Sequence, residues 1–227
     1  MFRVLLCSLC VVIPLLGQTA AGSISGTVTD ASNGKPIASA FVSATRTVLP
    51  PLRVTAQSGS DGSFSLGGLP AATYTLCVTP ASEGYLDPCV WSPPAPTVTL
   101  SAGLKSSGNT LRLQPGSILK IHLDDPGQLR YQKTKTGYLP HLELGVQASK
   151  ATLLPARQSS ESPAGADFQV TVPRDSALTF FIRSSSLKLA DANALPLVNN
   201  SAVQSFQHAT GDATPVSFSY KITGLLP

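Results

Sequence analysis

The sequence predicts an all-β protein made of two sandwiches in tandem, and three observations carry that prediction. Aliphatic residues recur at every second position over short runs, as in Ile24, Gly26 and Val28 against Ser25, Thr27 and Thr29, the period of a strand with one buried face. Asn33-Gly34 and Asp61-Gly62 punctuate those runs, and such pairs supply tight reversals; Gly67-Gly-Leu-Pro70 leads into the next strand. Ser, Thr, Val, Pro and Gly are in surplus, Met occurs once, and little Glu or Lys falls at helical spacing, a composition that favours strands.

Ahead of the first strand, Arg3 and the apolar stretch Val4 to Leu16 have the layout of a secretory signal peptide, too short for a relaxed membrane span. Thr19 and Ala21 suit a signal peptidase at minus three and minus one, which puts the signal at 1–21 and the mature start at Gly22; cleavage after Ala20 is the alternative. Cys7 and Cys10 each follow Leu inside the apolar stretch, so neither has the setting of a lipoprotein cysteine. About 206 residues remain, enough for one large or two small β domains. No later stretch is long enough to span a membrane, so a soluble exported protein, secreted or periplasmic, is expected. The formal charge of +4 includes Arg3, and what remains is too weak and too scattered to imply a nucleic-acid partner.

Two cysteines survive removal of the signal, Cys77 and Cys89. On the strand Tyr74 to Val78, the apolar residues Tyr74, Leu76 and Val78 share one face and turn Cys77 to the other, where the returning chain meets it at Cys89. A disulfide there would contribute roughly 3 kcal/mol by loop closure, and two separate buried thiols are the competing reading.

The other strands of the first domain follow in order. The first ends at Asp30, the Asn33-Gly34 turn and Pro36 lead to a strand over Ala40 to Arg46, and Leu49-Pro-Pro-Leu52 interrupts pairing. A strand from Arg53 to Gln57 reaches the Asp61-Gly62 hairpin, after which Phe64 and Leu66 point inward together. Four pieces then form an ordered set: Gly22-x-Ile24-x-Gly26-x-Val28-x-Asp30, Gly34-x-Pro36-x-x-x-Ala40-x-Val42, Asp61-Gly62-x-Phe64-x-Leu66, and Leu69-Pro70 before Tyr74-x-Leu76. The set resembles the carboxypeptidase regulatory-like domain family, and the resemblance implies a transthyretin-like, seven-stranded β-sandwich over about residues 22–113. Val98 to Leu100 and Leu111 to Leu113 continue it, while Ala72 stands where the family usually places Gly.

A boundary is expected near 115, which makes 22–115 the first domain and 116–227 a second β-rich one. Five alternating runs predict a second sandwich: Leu119, Ile121, Leu123; Leu142, Leu144, Val146; Phe168, Val170, Val172; Leu178, Phe180, Ile182; and Val216, Phe218, Tyr220. Gln158 to Gly165 and Asn199 to Thr214 have the composition of exposed loops, and Leu187 to Leu195 suggests one helical turn, the only helix expected.

Peptidase chemistry does not follow from the family name. A zinc carboxypeptidase needs His and Glu at His-x-x-Glu spacing with a further His, and His122, His141 and His208 offer no such spacing. His141 and Glu143 are two apart on an outward strand face and could supply two metal ligands, but a solvated polar face accounts for them equally well. Ser117-x-x-Lys120, Ser185-x-x-Lys188 and Lys135-Thr-Gly137 echo fragments of penicillin-recognising enzymes without their helix and strand context. No enzyme activity, cofactor or metal is therefore expected.

Two surface features suggest ligands. Tyr85 and Trp91 flank the Cys89 bridge and form a candidate pair for stacking on sugar rings, unless Trp91 plugs the sandwich end. In Arg130-Tyr-Gln-Lys-Thr-Lys135, an extended segment would project Tyr131, Lys133 and Lys135 together toward acidic polysaccharide, anionic lipid or nucleic acid, unless it is a lysine-protected edge. The functional expectation is a non-catalytic binding or structural protein that accepts a glycan or a cell-envelope protein through sandwich loops. The alternative is an accessory module of an extracellular hydrolase.

Overall fold

The computed structural model describes residues 21–81, 84–92, 94–148, 153–209 and 214–226. The signal-peptide reading, apart from Ala21, lies outside these residues.

Among the described residues, seven strands build the first sandwich: β1 (Gly22–Asp30), β2 (Phe41–Arg46), β3 (Leu52–Gln57), β4 (Ser63–Leu69), β5 (Ala72–Thr79), β6 (Thr97–Leu100) and β7 (Lys105–Leu113). One sheet runs β4-β1-β7 and the other β3-β2-β5-β6. Period two decides what is buried. Ile24 and Val28 of β1 and Tyr74, Leu76 and Val78 of β5 are inaccessible to solvent or nearly so, and they meet in a single core cluster. Tyr74 is tolerated there because its hydroxyl donates to the Pro70 carbonyl at 2.8 Å.

The central strand β1 pairs antiparallel with β4 and parallel with β7. The β1–β7 register shifts between Ile24 and Gly26. A Cβ on Gly26 would lie 1.8 Å from the Asn109 carbonyl oxygen, so only glycine lets the two backbones approach this closely. The Asn109 side-chain amide seals the irregularity by donating to the Ser25 carbonyl at 2.9 Å.

Among the described residues, nine strands form the second sandwich: β8 (Ser117–Asp124), β9 (Leu142–Gln147), β10 (Leu153–Pro155), β11 (Arg157–Ser162), β12 (Gly165–Val172), β13 (Leu178–Ser184), β14 (Leu187–Asp191), β15 (Ser201–Phe206) and β16 (Ser217–Leu225). Sheets β10-β9-β13-β15 and β11-β12-β8-β16-β14 face each other. Between them lies a separate core that includes Leu119, Ile121, Val146, Phe180 and Ile182. Phe180 stacks on Phe218 and Tyr220 at centroid distances of 4.7 and 5.7 Å, joining the two sheets through aromatic contact.

All five predicted runs of the second half lie in strands or, for Val216, immediately before one. Other elements were not expected, among them the short strand β10. Gln158 to Gly165 is mostly strand β11 rather than loop, and Asn199 to Thr214 contains β15. Both are edge strands, and every side chain of β11 is exposed, so neither carries the alternation that marks a half-buried strand. Leu187 to Leu195 begins as strand β14, with Leu187 and Leu189 buried on one side, and holds no helical turn. The one α-helix among the described residues is a single turn, α1 (Pro88–Trp91). It is capped by the Asp87 carboxylate, which accepts from the Cys89 amide at 2.8 Å, with Pro88 at its start.

Candidate functional site

The predicted site residues Tyr85 and Trp91 lie where the sandwiches meet. Cys77 and Cys89 form the disulfide, with their Cα atoms 5.5 Å apart. It ties α1 to β5, and Trp91 at the end of α1 packs against the core of the second sandwich. Tyr85 packs instead against the first core and donates its hydroxyl to Asp30 Oδ2 at 2.9 Å. The two rings line a common cleft of about 110 Å³ with Thr79, Asp87, Arg157 and Gln169. Each is half-buried by a different core, so together they do not make an open stacking platform.

Asp30 is the polar hub of this junction. Its carboxylate accepts from the Ser32 hydroxyl at 2.5 Å and amide at 2.7 Å, from Asn33 at 3.0 Å and from Tyr85. The Ser32 bonds above all hold its pKa down at about 2. Burial pushes Asp87 the other way, against the Cys89 amide bond that favours its charged form. Backbone bonds complete the junction: Leu86 N–H to the Gln114 carbonyl at 2.9 Å and Gly116 N–H to the Gly84 carbonyl at 2.7 Å. Across the sandwiches, the Gly84 amide donates to Thr171 Oγ1 at 3.2 Å.

A larger concavity of about 590 Å³ opens on the second sandwich. Tyr131, Leu142, Leu153, Phe168 and Phe181 supply its apolar wall, and Arg130, His141, Glu143 and Gln158 stand among them. Volume and lining fall in the range of small-molecule sites. It gathers residues from two features that the sequence shows far apart, the Arg130–Lys135 stretch and the His141/Glu143 pair.

Local chemistry explains how each arrives. After β8, the buried Asp125 carboxylate accepts from the Leu129 amide at 2.8 Å and the Arg130 amide at 3.2 Å. That capping folds Leu129–Tyr131 into a 3-10 turn, so this part of the segment is not extended as its sequence suggested. Arg130 pairs with Asp125 at 3.2 Å and reaches Glu161 of β11 at 3.4 Å. The Tyr131 hydroxyl also donates to Glu161, which lowers the Glu161 pKa and raises that of Tyr131. Lys133 and Lys135 do not join Tyr131 in this concavity; Lys135 lines a neighbouring one of about 310 Å³ with Thr134, Tyr138 and Ser186.

His141 is fixed through its backbone. Its amide donates to the Ser186 hydroxyl at 2.8 Å, and its carbonyl accepts from the Ser184 hydroxyl at 2.5 Å. Its Nε2 lies 2.9 Å from Glu143 Oε1, while Arg183 Nε donates to the other Glu143 oxygen at 2.6 Å. The His141 bond, then that of Arg183, lowers the Glu143 pKa. The Glu143 oxygens are thus engaged by cationic or hydrogen-bonding neighbours, and among the described residues no group of three His, Cys, Asp or Glu side chains is placed to hold a metal ion. Ser117, the start of one penicillin-enzyme echo, is buried on β8 and accepts from Arg174 Nε at 2.9 Å, a structural contact.

With this geometry in place, the match to known families bears on the first sandwich alone. Residues 23–113 match the carboxypeptidase regulatory-like domain family. The matched stretch ends with the last strand of the first sandwich, and the groove lies beyond it. No curated protein matches the chain. Among solved structures, a streptococcal ancillary pilin is similar at 10% identity and a TM-score of 0.44, over 90% of this chain and 63% of that one. The TIE protein of Bacillus anthracis is similar at 12% identity and 0.35, over 90% and 34%. The major pilin subunit of Bacillus cereus is similar at 10% and 0.34, over 90% and 99%. The chain spans about a third of the TIE structure and under two thirds of the ancillary pilin. Among the described residues, no helix is long and apolar enough to cross a membrane.

Proposed function

We propose that this is a non-catalytic binding and structural protein of an oxidising, extracytoplasmic compartment, with the regulatory-like domain (22–115) as a rigid mount and the second domain (116–227) as the ligand-bearing half. The supporting observation is the groove of about 590 Å³, whose aromatic wall of Tyr131, Phe168 and Phe181 is bordered by side chains already oriented by their own partners. Aromatic faces beside polar hydrogen-bonding groups suit a sugar ring, which has apolar C–H faces and a polar rim. A peptide strand fits less well. The nearby edge strand β10 has three residues and ends in Pro155, which has no N–H to donate. The edge strand β11 carries a register irregularity between Gln158 and Ser160, a device that blunts strand addition. The disulfide supports the compartment, since such bridges persist where thiols are oxidised.

The test is binding of neutral oligosaccharides by calorimetry, comparing the wild type with Tyr131→Ala. Tyr131 is 53% exposed, so its loss should leave the fold intact while weakening binding about tenfold. A complete oligosaccharide panel without binding, or binding unchanged in Tyr131→Ala, would reject the groove as a glycan site. A second reading, an accessory module of an extracellular hydrolase, is favoured by the family match over residues 23–113. Co-purification with a hydrolase would support it.

A further inference from the structure

We propose that each sandwich is a shear clamp, so that the chain can bear tension applied between its two ends. This goes beyond the groove and does not depend on it. In the first sandwich, the first strand β1 and the last strand β7 are parallel neighbours over seven register pairs, from Ser23 with Lys105 to Asp30 with Leu113. In the second, the first strand β8 and the last strand β16 are parallel neighbours over five, from Lys120 with Ser217 to Asp124 with Lys221. Antiparallel neighbours complete both sheets, yet in each sandwich the strands that receive an external pull are the parallel pair.

The mechanical consequence follows from hydrogen-bond geometry. Pulling β1 by its N-terminal end and β7 by its C-terminal end drags two parallel strands past each other. Their inter-strand bonds run across the direction of pull, so all are loaded at once. Antiparallel neighbours pulled from adjacent ends open one pair at a time.

Further bonds reinforce both clamps. The Ala31 amide donates to the Leu113 carbonyl at 2.9 Å, and the Asn109 amide crosses to Ser25. In the second sandwich the Lys120 amide donates to the Val216 carbonyl at 3.0 Å, and Lys221 lies 3.9 Å from Asp124.

The load path between the clamps is short and braced. Only Gln114, Pro115 and Gly116 separate β7 from β8, and Gln114 and Gly116 are hydrogen-bonded to Leu86 and Gly84. The disulfide closes the chain between Cys77 and Cys89, so those residues add no slack when the first sandwich yields.

Single-molecule force spectroscopy on the intact, oxidised protein tests the proposal, with handles attached through bioorthogonal residues to spare the disulfide. Handles at the exposed Ala21 and at Leu226 load both clamps in shear. Handles at Ala21 and Ala71 unzip β1 from β4 in the first sandwich, and handles at Gln114 and Ala177 unzip β8 from β12 in the second. End-to-end pulling should give two events releasing about 25 nm and about 35 nm of chain. Each should need at least about twice the force of the matching unzipping geometry at the same loading rate. The same fold is compared in every arm, so thermodynamic stability cancels. An end-to-end force no higher than the unzipping force in either sandwich would overturn the proposal.

Discussion

Reducing the Cys77–Cys89 bridge should uncouple the sandwiches and weaken the first far more than the second. The bond joins residues 12 apart in sequence, and closing a loop of that length removes about 3 kcal/mol of denatured-state entropy. Against a typical domain stability of about 5–10 kcal/mol this is a large share. For a sandwich of this size it corresponds to a fall in Tm of about 12–20 °C. The second sandwich has no disulfide among its described residues. It loses only what α1 held in place, the half-buried Trp91, worth about 1–2 kcal/mol. Differential scanning calorimetry with and without reductant should show the first transition moving down and separating from the second. Trp91 is the only tryptophan in the chain, so its emission reports on the junction alone and should shift to the red with the first transition. If oxidised and reduced protein unfold within about 0.5 kcal/mol of each other, loop closure is not what stabilises this domain. Unchanged Trp91 emission on reduction would refute the tie between the bridge and the junction.

Trp91→Ala should lower stability by about 1–2 kcal/mol in denaturant titration and leave glycan binding at the groove intact, because the ring fills an interdomain contact; selective loss of binding without destabilisation would restore the sugar-stacking role. Asp30 gives the junction an acid limit. Its folded pKa of about 2 lies below the ordinary 3.8, so its contribution is complete above about pH 5 and is lost as pH falls through 3.8 and then through 2. Asp30→Asn should flatten that part of the stability–pH curve; an unchanged acid limb would remove Asp30 as its source. Tyr220 is buried, its hydroxyl has no hydrogen-bond partner among the described residues, and burial pushes its pKa up to about 12. Tyr220→Phe should keep the aromatic stack and raise stability by about 1 kcal/mol in chemical denaturation, whereas a loss would reveal a partner for the hydroxyl.

The first sandwich was legible because β1, β4 and β5 write their burial into the chain. Ile24 and Val28, Phe64 and Leu66, and Tyr74, Leu76 and Val78 alternate with less buried neighbours, and Asp61-Gly62 marks a turn whose glycine does adopt a φ of +76°. β11 was not legible for the opposite reason: Arg157 to Ser162 lies at a sheet edge with both faces wet, and only its ladder to β12 makes it a strand. β14 was misread because the buried trio Leu187, Leu189 and Ala190 does not hold a strict period of two. The disulfide could be anticipated from strand parity together with the count of two cysteines beyond the signal. The groove could not, since its wall comes from Tyr131, Leu153, Phe168 and Phe181, which meet only after both sheets close. Asp125 was the signal available in sequence, an acid before Pro126-Gly127 and able to cap the turn that places Tyr131.

The two hydrophobic clusters come from consecutive stretches of chain, one spanning Ile24 to Leu113 and the other Leu119 to Ile222. During synthesis the leading half can therefore finish before the trailing half exists. Trp91 is the exception, since it belongs to the half made first but finds its cover in the half made last. Until Leu154 and Val170, which line the same cleft, have emerged, the indole stays wet and the junction unlatched, so its burial marks the moment when the nascent chain is complete enough to lock.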